Sequence, residues 1–291
     1  MNRGTGTGAV IVAYYPDCDA LNALIVSVCE QVDQLVVVNN GPAESLSIEP
    51  MDCLTVQSLP DNVGVAAAIN VGVQRLIEAG CAQVLLLDQD SQIPSDLVAT
   101  LAHHLNAARS EGLRVAAIGP SVRDHNDPST APFIRFRLPF NQRLRGQQGR
   151  VPCDYVISSG CLINLDCWAG VGPMRDAWFI DNIDLEWCFR ARRKGYQVLG
   201  SFDTVIDHRI GERERLLGCI PYRRHTPQRL YTMMRNRVFL YRSDASLAFI
   251  IHDALRALGK VILFSLIAPR WQHISAMWRG LKAGLMTRPV P

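Results

Sequence analysis

Over the first 120 residues the chain alternates between two hydrophobic patterns. Short, uninterrupted apolar runs occur at Ala9–Tyr14, Leu35–Val38, Leu54–Gln57, Val84–Leu87 and Val115–Ile118. Runs of this kind suit strands buried on both faces. Between them the spacing predicts helices. One starts near Asp19. A second covers about Val63–Ala79, with Ile69, Val73, Leu76 and Ile77 on one stripe. A third starts at Ser95, an N-cap residue ahead of Asp96. Strands alternating with helices predict an α/β fold with a mixed, mainly parallel central sheet flanked by helices.

Residues 120–150 lose this pattern, and their Arg, Gly and Pro content reads as a long loop. Further helices are expected over about Asn182–Lys194, stopping at Gly195, and from Thr226 to about Arg242, with Pro227 at the first helical position. Two amphipathic patterns follow. From Ser246 to Ala268 the polar residues His252, Asp253, Arg256 and Lys260 share one stripe of an otherwise apolar helix. From Arg270 to Met286, Trp271, Ile274, Trp278, Leu281 and Leu285 keep helical spacing. The expected organisation is a main domain over residues 1–243 and an amphipathic helical segment over 244–291, for a membrane interface or a dimer contact.

Composition sharpens this in two places. The net charge of +3 hides an asymmetry: residues 1–219 carry 18 Lys and Arg against 25 Asp and Glu, whereas residues 220–291 carry 12 against 2. A C-terminal part so basic is expected to meet anions. It lacks interleaved stacking aromatics on its polar face, so nucleic acid is not expected as a partner. The nine cysteines form no CxxC pair and no zinc-type cluster. Most sit inside apolar stretches and read as small core residues, and the compartment reads as reducing. The polar start, Met1–Gly8, has no apolar core of a signal peptide, and no apolar run is long enough to span a bilayer. The Gly4–Gly8 stretch precedes the first strand, which is the wrong side for a phosphate loop.

Four places could carry chemistry. The run Leu85-Leu86-Leu87-Asp88-Gln89-Asp90-Ser91 ends a buried strand in two carboxylates. Ligands of open α/β sheets bind beyond the carboxyl ends of strands. Like charges so close invite a hard divalent cation holding a diphosphate; an acidic turn capping the next helix is the other account. Asp181 and Asp184 share a face at a helix start, where a carboxylate can take a proton from an attacking hydroxyl or merely cap the dipole. Trp178, Phe179 and Trp187 beside them fit a sugar-binding rim or the core. His208, after Thr204–Ile206, could be a metal ligand, suiting Mn²⁺ better than Mg²⁺, or a structural histidine. Arg235-Asn236-Arg237, with Arg223, Arg224 and Arg229, could hold phosphate oxygens or form a solvated basic face.

Taken in order, these pieces resemble family 2 glycosyltransferases of the GT-A fold. The series is Tyr14-Tyr15-Pro16-Asp17, Val38-Asn39-Asn40-Gly41, Asn62-Val63-Gly64 with Asn70, Asp88-Gln89-Asp90-Ser91, Ile157-Ser158-Ser159-Gly160-Cys161, Asp181/Asp184/Glu186, His208-Arg209-Ile210-Gly211 and Arg235-Asn236. It is most similar to the bacterial rhamnosyltransferase branch and covers about Ala9–Arg242. The resemblance implies a donor set of Tyr14, Asn39, Asn62, Gly64, Asn70, Asp88, Ser158, Ser159, Gly160 and Arg235. In it Asp88 contacts the nucleoside and Arg235 the diphosphate. Asp90 and His208 hold a divalent metal, Mn²⁺ or Mg²⁺. Asp184 is the catalytic base, and Asp181, Glu186 and Trp187 shape the acceptor pocket. The implied reaction is inverting transfer of L-rhamnose from dTDP-L-rhamnose to a lipid-linked saccharide or glycolipid at the cytoplasmic membrane face, with a homo-oligomer as a further possibility. Asn39 stands where the family usually has Asp, which leaves the nucleotide open. A different nucleotide sugar, or a non-catalytic sugar-nucleotide-binding scaffold, are the alternatives.

Overall fold

The computed structural model describes residues 6–124, 129–208, 213–216 and 220–287, with backbone alone at 124, 208, 213–216, 220–221 and 223. The apolar runs become β1 (Thr7–Ala13), β2 (Gln34–Asn39), β3 (Leu54–Ser58), β4 (Gln83–Asp88) and β5 (Val115–Asp124). The predicted helices become α1 (Cys18–Cys29), α2 (Val65–Glu78) and α3 (Leu97–Ser110). α1 starts at Asp17, whose carboxylate accepts from the N–H groups of Asp19 and Ala20. α3 starts one residue beyond the Ser95 signal. A turn closed by Leu97 N–H on Pro94 O puts Asp96 at the cap instead.

The stretch 120–150 is not a long loop. β5 runs on to Asp124, β6 (Thr130–Ala131) pairs with it, β7 (Phe133–Arg135) and β8 (Gln142–Leu144) form a separate two-stranded sheet, and β9 (Arg150–Cys153) closes the main sheet's edge. Segments this short are too brief to show any period. After β9 come β10 (Cys161–Asn164), α4 (Leu165–Val171), α5 (Ile183–Arg193), β11 (Gln197–His208), the hairpin β12 (Arg213–Leu216) and β13 (Ile220–Arg223), then α6 (Pro227–Tyr241), α7 (Leu247–Leu266) and α8 (Arg270–Met286).

The main sheet has the order β3-β2-β1-β4-β10-β5-β11-β9. β1 is parallel to β2 and β4, β10 is reversed between β4 and β5, and β11 is parallel to β5. The carboxyl ends of β1, β2, β4, β5 and β11 therefore meet the start of β10 along one edge. Successive side chains of a strand point to opposite faces. Val10 thus packs with Ile69, Val73 and Leu76 of α2 on one face, and Ile11 with Leu21 and Ile25 of α1 and Leu101 of α3 on the other. That is why the runs show no alternation.

Cys29 and Cys53 form a disulfide across a Cα separation of 6.2 Å, tying the end of α1 to the residue before β3. This pair departs from the reading of most cysteines as small core thiols. Cys81, Cys153, Cys161, Cys167 and Cys188 are buried free thiols, as expected; Cys219 lies outside the described residues.

α6 starts at Thr226, whose hydroxyl accepts from Arg229 N–H. α8 lies against it at Gly280 and Gly284. A side chain at Gly280 would run into the Tyr231 carbonyl, and one at Gly284 into Val238. Phe264 of α7, Met277 of α8, and Leu230 and Met234 of α6 close a small core there. Among the described residues no helix is long and apolar enough to cross a membrane.

Candidate active site

The site begins where β4 ends. Asp88 is the last residue of the strand, and Ser91 N–H closes the turn onto Asp88 O at 3.2 Å. Two clamps fix this turn. The Gln89 carboxamide accepts from Tyr14 N–H at 2.7 Å and donates to Tyr14 O at 3.3 Å, joining it to β1. The buried hydroxyls of Ser91 and Ser159 lie 2.7 Å apart, joining it to the segment before β10. Gly160 follows with φ +78°, and a Cβ there would sit 2.9 Å from Pro120.

A cleft of about 390 Å³ opens at this edge, with Asp88, Pro120, Tyr155, Ser158 and Asp184 among its walls. Asp184 stands in the first turn of α5, its carboxylate accepting from Leu185 N–H at 2.8 Å. Burial pushes its carboxyl up to about 6; the Leu185 N–H works against this, and the charges of Asp88 and Asp181 add to it. Such a group is ionised at neutral pH yet basic enough to take a proton from a hydroxyl.

The loop ahead of Asp184 is strained. Phe179, Asp181 and Asn182 have φ of 64°, 66° and 64°, the left-handed region that side chains disfavour. Its carbonyls are held from α6. Asn236, fully buried, donates to Trp178 O and Ile180 O at 2.7 Å and to Asp181 O at 3.0 Å. Arg235 donates to Ala177 O and Trp178 O, and Arg229 pairs with Asp181 at 3.1 Å. From the other side, Val65 N–H at the start of α2 bonds Phe179 O. Gly64 has φ +87°, and a Cβ there would lie 2.6 Å from the Phe179 ring.

This geometry has known counterparts. Residues 9–165 match the model of glycosyl transferase family 2. The chain belongs to this family. It is similar to the dTDP-rhamnosyl transferase RfbF of Shigella flexneri, 30% identical over 264 residues that cover 89% of this chain and 85% of the relative. Among solved structures, S. aureus TarS 1-349 in complex with UDP-GlcNAc superposes with a TM-score of 0.57 at 14% identity, over 96% of this chain and 81% of that one. GalNAc-T7 with UDP, GalNAc and Mn²⁺ gives 0.55 at 13% identity, over 80% of this chain and 47% of the other. At those identities the likeness is one of fold, and the fold is GT-A.

Within this family 2 site, the expected residues divide. Asp88, Ser158 and Asp184 line one cleft, with Ser159 and Gly160 directly behind Ser158. Tyr14 is half exposed at the same edge. Other expected donor contacts are committed to protein partners. Asn39 is fully buried, accepting from Gly41 N–H and donating to Pro42 O, both at 3.1 Å. Asn62 accepts from Gly64 N–H and from the Asn40 carboxamide, each at 3.0 Å. Asn70 bonds both the N–H and the carbonyl of Met174, and Asp176 as well. Arg235 is occupied by the carbonyls above.

The acceptor-pocket expectation is corrected for two residues. Glu186 is 1% exposed and takes Arg190 Nε at 2.8 Å and Arg175 Nε at 3.2 Å. Trp187 is also 1% exposed, its indole donating to Gly172 O. Residues two apart on a helix point away from each other, so Glu186 turns into the core when Asp184 faces the cleft. Trp178 is core too, and Phe179 is the exposed aromatic of the loop. The basic surface expected around α6 is likewise dispersed: Arg237 is buried against Asp253 at 2.6 Å.

Asp90 opens on a different depression of about 520 Å³, shared with Ser27, Gln92 and Asp207. Asp207 pairs with Arg123 at 2.6 Å. The backbone of His208 ends β11 beside Asp207 at this edge; its side chain lies outside the described residues, as do Arg209–Gly211. Among the described residues no three His, Cys, Asp or Glu side chains cluster as a metal site. Sequence reasoning missed Asn236 and Gln89 as loop holders. The one legible signal was an Asn set between arginines in a helix.

Proposed function

We propose that this family 2 glycosyltransferase moves L-rhamnose from dTDP-L-rhamnose to a hydroxyl of a lipid-linked saccharide or glycolipid, with inversion, on the cytoplasmic face of the membrane. The observation that carries the reading is Asp184, a carboxylate raised to about 6 on the wall of the cleft that Asp88 also lines. The relative's activity supports the donor. In one displacement, Asp184 takes the proton of the acceptor hydroxyl as that oxygen forms its bond to the anomeric carbon. The sugar–phosphate bond breaks on the opposite side, and the electron pair leaves with dTDP. The strained loop fixes where Asp184 stands, and the Gln89 and Ser91 clamps fix Asp88.

A divalent cation, Mn²⁺ or Mg²⁺, fits the donor chemistry here. Asp88 and Asp90 supply hard carboxylate oxygens, and the field of Asp88 on Asp184 is one that a cation relieves. Asp90 and His208 would hold it, and when bound it would neutralise charge developing on the leaving diphosphate.

The test is a panel of nucleotide sugars with Mn²⁺, scored by release of nucleoside diphosphate. Turnover of dTDP-L-rhamnose above UDP- and GDP-sugars is expected. Turnover of another donor alone overturns the rhamnose assignment, and binding of dTDP-L-rhamnose without turnover in the presence of glycolipid overturns the transferase reading.

A further inference from the structure

α7 is packed with His252, Asp253 and Lys260 turned inward. Asp253 accepts from Arg237 at 2.6 Å and from the Tyr241 hydroxyl at 2.7 Å; His252 meets Arg137 O at 3.0 Å; Lys260 reaches Met233 Sδ at 3.9 Å. The stripe left facing out is Leu247, Ile251, Leu255, Leu258, Ile262 and Leu266, exposed by 39% to 67%. At 3.6 residues per turn these positions span an arc of about 100°. α8 adds Trp271 and Trp278, exposed by 74% and 73% and one heptad apart, with Arg279 and Lys282 on the same side. A run of aliphatic side chains turned to water along a whole helix is an interaction surface.

Charge decides what covers it. Residues 220–291 hold 12 Lys and Arg against 2 acids, a net of +10. Both acids are already paired, Asp244 with Arg193 and Asp253 with Arg237. A second copy meeting this face would set like charge on like charge. An anionic bilayer offers acyl chains to the leucines, an interface to the tryptophans and phosphates to the cations. An open depression of about 540 Å³ between α6 and α8, lined by Tyr231, Arg279 and Lys282 with Met286 at its edge, would seat such a phosphate.

We propose that the outward faces of α7 and α8 dock the protein on an anionic phospholipid surface, the helices lying in the headgroup plane. This deepens the reading of a membrane-borne acceptor and rests on it for its purpose. The test is flotation of the full chain with vesicles of phosphatidylcholine, alone or mixed with phosphatidylglycerol. Binding to the mixed vesicles is expected, weakening as salt rises and on phosphatidylcholine alone. The Leu255→Glu/Leu258→Glu double variant should bind roughly tenfold or more weakly, while its melting temperature and its turnover on a water-soluble acceptor stay unchanged. Wild-type protein left unbound by mixed vesicles at low salt overturns the proposal, as does a double variant that floats like wild type. A wild-type dimer that the same variant makes monomeric assigns the face to a second copy and also overturns it. Flotation without any donor turnover leaves the docking standing and fails the transferase reading; turnover without flotation does the reverse.

Discussion

The carboxamide of Asn236 on α6 donates to Ile180 O at 2.7 Å, 56 residues away in the chain. With the bonds to Trp178 O and Asp181 O, it holds the left-handed turns that deliver Asp184 to the cleft. Loop and helix act as one device, with the strain in the first and the restraint in the second.

Removing that restraint should cost rate more than donor binding. Asn236→Ala is expected to lower kcat by about 10- to 100-fold, since misplacing a catalytic group by an ångström has effects of that order, with KM for the donor nearly unchanged. Asn236→Asp should be worse, because it turns carboxylate oxygens toward three carbonyls. Steady-state kinetics on both variants checks this. A drop in melting temperature with normal kcat would make Asn236 purely structural.

Asp184→Asn should slow transfer by roughly 10²–10⁴-fold and leave donor affinity intact. Stability gives a second, opposite readout. The folded carboxyl sits at about 6, above its ordinary value of 3.8, so the fold favours the protonated form. That stability is fully present below about pH 4 and is lost as pH rises through 6. Asparagine escapes the loss, so at pH 7 to 8 the variant should be more stable by about 1–3 kcal/mol. A helix-capping role predicts a fall of about 0.3–1 kcal/mol instead. Thermal melts decide between the two, and the kcat/KM profile of the wild type should rise with pH through about 6.

Glu186→Ala is expected to act on folding. It strands Arg190 and Arg175 beside the core, and breaking a buried pair this way costs about 3–5 kcal/mol. Denaturant unfolding measures the loss. Acceptor KM of the folded protein should not move; a selective rise in it would return Glu186 to the acceptor pocket.

Asp90→Ala should abolish metal-dependent donor binding with the melting temperature unchanged, because Asp90 is exposed beside the strand end. Calorimetry with Mn²⁺ present reads it directly. Donor affinity equal to wild type would remove Asp90 from the metal site.

What the chain determined by itself is local and periodic. Continuous apolar runs marked β1, β2, β4 and β5 because strands covered on both faces carry apolar residues at consecutive positions; β3, at the sheet's edge, is half exposed. Thr226 with Pro227 marked the start of α6, and the spacing of Trp271, Trp278 and Leu285 marked α8 to its ends. The acidic end of β4 and the place of Asp184 in a first helical turn were equally legible, since each depends on a few adjacent residues. The tertiary structure alone decided which polar atoms are committed elsewhere. Asn70 is taken by Met174, 104 residues on, and Arg235 by Trp178, 57 residues back. Glu186 and Asp184 look alike in sequence, yet one meets Arg190 and Arg175 at the core and the other a cleft. The pattern of α7 announced an amphipathic helix, but the donors of α6 drew its Asp253 inward. Periodicity is a property of neighbours along the chain. A hydrogen-bond partner is chosen by neighbours in space, and only the folded chain brings those together.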